Sequence, residues 1–313
     1  MEVVDIIEQN ISDISPALLN ILLKDKTTGL YLRWATDNYE SYGAEYGAAQ
    51  QIMPYLVTGE NTDIIKPRVI KTESSQRKRT RDKAEVFTPL WICNQQNNLI
   101  DEEWFGRSDV FNTEAGEGWV IHTERIEFPK GKSWKKYVDA RRMELSCGEA
   151  PYITSRYDTT TGEYIPIERR IGLLDRKLRV VNENLDDESE WFKWAVRAFQ
   201  SIYGYEFQGD NVLLARENLL YTLIDNMRFK FNHDPDLIQL NKVATIIAWN
   251  IWQMDGLTMT VPFGDTNPIY KQITAYEYLT GTVDKGTPIF CRIFDWRAKH
   301  SLEFREIMGG TDK

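Results

Sequence analysis

Three carboxylates close short stretches of chain in which apolar or aromatic residues predominate. Each is followed by small or polar residues: Glu144, Glu206 and Asp255. Glu144 opens onto Ser146, Cys147, Gly148 and Ala150; Glu206 ends Ile202–Tyr205; Asp255 ends the run that starts at Val243 and stands before Gly256. An acid at a strand end can accept ribose hydroxyls or hold a cationic amine. A corner of small residues lets peptide N–H groups come close to a ligand. Together they suit a cofactor that carries a nucleoside. The plainer alternatives are a glycine-containing turn with a solvated acid at Glu144 and a helix-capping acid at Glu206.

Two further stretches set polar groups beside aromatic ones. Asn267, Pro268 and Tyr270 offer a side-chain amide and an aromatic ring, or else only an Asn-Pro turn. Asp295 and Trp296 end the apolar segment that begins at Pro288, or else cap and pack it. A basic run that includes Arg77, Lys78, Arg79 and Arg81 stands out in a chain of net charge −9. It reads as a phosphate-backbone contact or as a solvated loop. The acidic balance otherwise argues against a surface coated by nucleic acid. Three histidines and three dispersed cysteines make a metal site improbable, and the cysteine usage suits the reducing cytoplasm. No apolar run is long enough to span a membrane.

The elements that must position these residues can be read in outline. Residues 3–24 read as two short helices broken at Ser15 and Pro16. Residues 64–71 and 119–128 read as strand-like, and 134–138 as β-forming. Thr88 and Pro89 can start a helix from Leu90. Helical spacing recurs over 189–200 and 211–223. Strands ending at Glu144, Glu206, Asp255 and Asp295, with helices between them, describe a doubly wound α/β sheet with its acids on one edge. The long gap before Glu206 reads as an insertion, residues 155–187.

In order, these pieces resemble the S-adenosylmethionine-dependent amino-methyltransferases that modify adenine in DNA, especially the methylation subunits of restriction–modification systems. Residues 85–89, with Phe87, Thr88 and Pro89, are similar to the family's Phe-Thr-Pro motif, which packs on the methionine part of the cofactor. Residues 144–150 are similar to its cofactor loop, here with Glu144, Cys147, Gly148 and Ala150, the last replacing a glycine. Residues 202–220 resemble the segment whose acid, Glu206, holds the ribose, and 253–256 the one whose acid, Asp255, meets the adenine amine. The family's Asn/Asp-Pro-Pro-aromatic motif has only degenerate counterparts, at Asn267–Tyr270 and Asp295–Trp296.

The resemblance implies an α/β fold with a Rossmann-like methyltransferase sheet and helices on both faces. It spans residues 85–313 after a mainly helical and basic region, 1–84, and is shortened at its C-terminal part because few residues follow Trp296. It implies methyl transfer to a base flipped out of duplex DNA, with other restriction–modification subunits as partners. The alternative is a catalytically degenerate relative that keeps the fold as a DNA- or protein-binding module. A dinucleotide-binding enzyme is disfavoured because no GxGxxG fingerprint occurs.

Overall fold

The computed structural model describes residues 7–71, 79, 88–265 and 287–309. Helices Glu8–Ile14 (α1) and Pro16–Leu23 (α2) are separated at Ser15, whose extended backbone hands over to a proline at the first helical position. Leu90–Phe105 (α3) is followed by an antiparallel hairpin, Asn112–Ala115 (β1) with Gly118–Ile121 (β2). The strand expected over 119–128 is therefore shorter, ending at Ile121. Residues 134–138, expected to extend, form instead a short helix Trp134–Val138 (α4), because the Ser133 hydroxyl accepts from the Lys136 peptide N–H. Around Arg68–Ile70 the chain makes a single 3₁₀ turn rather than a strand.

A three-stranded parallel sheet follows: Arg142–Glu144 (β3), Ile202–Glu206 (β4) and Ile251–Gln253 (β5), in the order β3-β4-β5. Parallel neighbours need crossovers. The first carries Leu173–Asn184 (α5) and Glu188–Gln200 (α6), and the second Gly209–Phe231 (α7) and Leu237–Asn250 (α8). Asp187 caps α6 by accepting from the Glu190 N–H, and Asp236 with Gln239 forms a capping box on α8. The segment 155–187, expected as an insertion, is part of the fold. Leu174, Leu178 and Val181 of α5 are buried in the main core, and Arg176 is buried against Asp101 at 2.6 Å.

Register sorts the two faces of the sheet. Glu144, Gly204 and Ile251 stand in line, and Ile202 and Ile251 belong to the core built by the helices. That core also takes in Ile11, Leu18, Leu22 and Trp34 from the N-terminal residues. Tyr203 and Trp252 point the other way, into a smaller cluster with Val261, Cys291, Ile293 and Phe304. This face is covered by antiparallel strands and one short helix: Thr260–Asp265 (β6) with Pro288–Phe290 (β7), Arg292–Asp295 (β8) with His300–Glu303 (β9), and Phe304–Ile307 (α9). The result is a mixed α/β architecture in which helices flank a partly parallel sheet. The strand ending at Asp295 lies in a hairpin of its own, not beside β3. No helix among the described residues is long and apolar enough to cross a membrane.

Candidate functional site

The C-terminal ends of β3, β4 and β5 open into a cavity of about 660 Å³. In open α/β sheets this edge is where ligands bind, because loops diverge there and helix N-termini point inward. Glu144, Leu145, Ser146, Cys147 and Gly148 line it from the end of β3; Tyr205, Glu206, Phe207, Gln208 and Asn211 from β4 and the start of α7. Met254 and Gly256 follow β5, Thr88, Pro151 and Tyr152 close one side, and Thr36 reaches in from the N-terminal residues.

The loop after β3 turns sharply by placing alternate residues in the left-handed region: Ser146 at φ 49°, Gly148 at 53° and Ala150 at 64°. Ala150 takes this conformation despite its Cβ, at a cost of roughly 1–2 kcal/mol. It is buried, and its peptide N–H donates to Cys147 O at 2.7 Å. Cys147 N–H donates to Tyr205 O at 2.8 Å, which extends the β3–β4 ladder by one bond. The Gly148 N–H then donates to Glu206 Oε2 at 3.0 Å, and the Gln208 N–H to Glu206 Oε1 at 3.0 Å. Burial raises the Glu206 pKa above the usual carboxylate value, although peptide N–H groups of Gln208, Gly148 and Phe207 pull it back.

Glu144 is 9% exposed, and its Oε2 has no hydrogen-bond partner among the described residues. Burial pushes its carboxyl well above the ordinary range, and the neighbouring Glu206 adds to this against peptide N–H groups of Tyr152 and Ile153. Its carboxyl lines the cavity, and that shift favours the protonated form, which can donate as well as accept. Burial also drives the Cys147 thiol well above its normal pKa, which removes it as a nucleophile.

The other expected site residues fall into three groups. Thr88 lines the cavity with Glu144, Cys147, Gly148 and Glu206, while Pro89 precedes α3 and Ala150 supports the loop from behind. Phe87, Arg77, Lys78, Arg81, Asn267, Pro268 and Tyr270 lie outside the described residues. The remainder are placed elsewhere by their partners. Asp255 stands between two lining residues, but its Oδ1 accepts from Leu257 N at 2.8 Å and Thr258 N at 3.2 Å, capping the turn into β6. Arg79, expected to face phosphate, is buried and paired to Asp210 at 2.8 Å. Lys71 also reaches Asp210, at 3.3 Å, and Tyr39 OH donates to the same oxygen at 2.7 Å.

Asp295 and Trp296 sit at the opposite edge of the sheet. Asp295 is held at 3.1 Å by Arg141, the residue just before β3, and by the peptide N–H groups of Arg297 and Ala298. Trp296 donates to Asn250 Oδ1 at 2.8 Å, just before β5. Trp296 lines a cavity of only about 10 Å³, and neither residue lines the larger cavity at the other end of the strands.

Sequence reasoning missed Thr36, Gln208, Asn211 and Met254. Gln208 and Asn211 follow Glu206 directly and could have been read with it; Thr36 carries no local signal. Among the described residues no group of histidines, cysteines and acids could hold a metal ion. No protein-family model, curated protein or solved structure matches the chain.

Proposed function

We propose that the cavity binds S-adenosylmethionine and that the chain is an adenine amino-methyltransferase acting on duplex DNA. One observation carries the reading: three parallel strands end together at Glu144, Glu206 and Gln253 around a polar cavity with a buried, unpartnered carboxyl oxygen. The residues fit such a cofactor. The cavity volume, about 660 Å³, lies within the roughly 300–1,000 Å³ of small-molecule sites. Glu206, locked in place by two N–H donors, would take the ribose hydroxyls. Glu144 Oε2 would meet the amino group of the methionine part, and the Cys147–Gly148 corner would pass beneath it. Thr88 and Tyr152 would close that end.

When bound, the cofactor supplies an activated methyl group. Asn267 and Tyr270 are the residues we assign to the target adenine: the amide oxygen to accept from its exocyclic amine, the ring to stack on the flipped base. Arg77, Lys78 and Arg81 would contact phosphate, with other restriction–modification subunits as partners. Arg79, paired to Asp210, is not among them.

A second reading has support of its own. Asp295 and Trp296, one of the two degenerate counterparts of the catalytic motif, are committed to a turn at the far edge of the sheet. A protein that keeps the cofactor site but serves as a DNA- or protein-binding module would look like this. Calorimetric titration with S-adenosylmethionine, followed by transfer of labelled methyl to adenine-containing duplex DNA, separates them. Binding with transfer supports the first reading, and binding without transfer the second. No binding by a folded protein overturns both.

A further inference from the structure

The N-terminal residues do more than pack on the core: they build a wall of the cavity. Arg33 is clasped by the Gln253 side chain, which accepts from Arg33 N at 2.8 Å and donates to Arg33 O and to Phe207 O at 2.8 Å each. One residue on, Trp34 O accepts from the Gly209 peptide N–H at 3.3 Å, and Asn38 donates to Gln208 Oε1 at 3.2 Å. These bonds fix the segment across the ends of β4 and β5. Ala35, at φ 62°, turns the chain so that Thr36 faces the cavity.

Thr36 is 2% exposed, and its Oγ1 has no hydrogen-bond partner among the described residues. A buried hydroxyl without a partner costs stability, and a valine would fill the same space without that cost. A hydroxyl kept at a cavity wall under these conditions is of use to what enters the cavity. It lies on the side of β4 and β5, with Gln208 and Met254, whereas Glu144 stands on β3. We propose that Thr36 Oγ1 is a ligand-binding group that hydrogen-bonds the nucleoside part of the cofactor, so that the N-terminal residues complete the site. This rests on the cavity taking an adenosyl ligand.

The test uses the full chain and its Thr36→Val and Thr36→Ser variants, titrated calorimetrically with S-adenosylhomocysteine and with adenosine, alongside thermal melts without ligand. Thr36→Val is expected to weaken both ligands by the same factor, roughly 3- to 10-fold for one lost hydrogen bond. Thr36→Ser should bind as the parent does, and unliganded Thr36→Val should melt no lower than the parent. Equal affinities for parent and Thr36→Val overturn the proposal and leave the cofactor reading standing. So does a loss in Thr36→Val that comes with a lowered melting temperature and is not restored in Thr36→Ser. A parent protein that binds neither ligand overturns the cofactor reading, and this inference with it.

Discussion

The peptide N–H of Gly148 donates to Glu206 Oε2 at 3.0 Å, fastening the loop that leaves β3 to the acid that ends β4. Gln208 N–H occupies the other carboxyl oxygen at the same distance. The acid thus shapes the loop before it meets any ligand. Glu206→Gln would turn an NH₂ group toward one of two N–H donors, and is expected to destabilise the fold by about 1–3 kcal/mol. It should also weaken S-adenosylmethionine binding, which denaturant melts and calorimetry read separately.

Glu144 gives a proton-linked signature. Burial favours its protonated form in the free protein, and a cation brought to Oε2 favours the ionised form. Binding of S-adenosylmethionine should therefore be accompanied by proton release. The release shows as a dependence of the binding enthalpy on the buffer's ionisation enthalpy. In Glu144→Gln that dependence should vanish; its persistence would assign the proton to another group.

Gly209 lets two chain segments touch. A Cβ there would stand 1.9 Å from Arg33 O, a backbone atom that cannot give way. Gly209→Ala is expected to cost about 1–3 kcal/mol by overpacking. It should also loosen the Thr36 wall, so that ligand affinity falls even where the chain remains folded. Unchanged affinity in a folded variant would mean that the segment does not shape the cavity.

Stability should fall as pH rises from mildly acidic to mildly basic. Burial raises Glu8 from 4.5 to about 8, and Asp210 adds to the rise while Lys71 opposes it. Glu217, pushed up by burial and by the charge of Glu8, faces it from α7. The peptide N–H of Glu8 itself opposes the rise, and among the described residues no other residue hydrogen-bonds either carboxyl. The folded chain keeps a proton that the unfolded chain has lost, so this contribution is fully present below about pH 4.5 and is lost as pH passes about 8. Glu8→Gln should flatten that window and raise the melting temperature at pH 8, by on the order of 2–4 °C for each kcal/mol regained. An equally steep pH profile in the variant would rule Glu8 out as the cause.

Asp295 should prove dispensable for the cofactor. Asp295→Asn removes a partly exposed ion pair with Arg141, a contact worth about 0–1 kcal/mol. Sites this well separated act independently, so S-adenosylmethionine affinity should stay within about twofold. A tenfold loss would place Asp295 in the site after all.

What the sequence determined by itself was local. The run before Glu206 and the corner of small residues at Cys147 and Gly148 are set by neighbours along the chain, and strands ending at Glu144 and Glu206 do meet at one cavity, although residues 134–138 form a helix. The break at Ser15–Pro16 and the helix of 211–223 were legible for the same reason, although that helix runs on to Phe231. Only the tertiary structure decided which acids line the cavity. Asp295 ends a strand as Glu206 does, and Asp255 follows a strand of only three residues because the run from Val243 to Asn250 is helical, yet Asp255 caps a turn and Asp295 lies at the opposite edge. Strand direction is a property of pairing partners, which no local pattern encodes. Arg79 belongs to a basic run that reads as surface, and burial against Asp210 reverses that reading. Thr36, far from every motif, enters the cavity because Gln253 and Gly209 hold its segment across the strand ends.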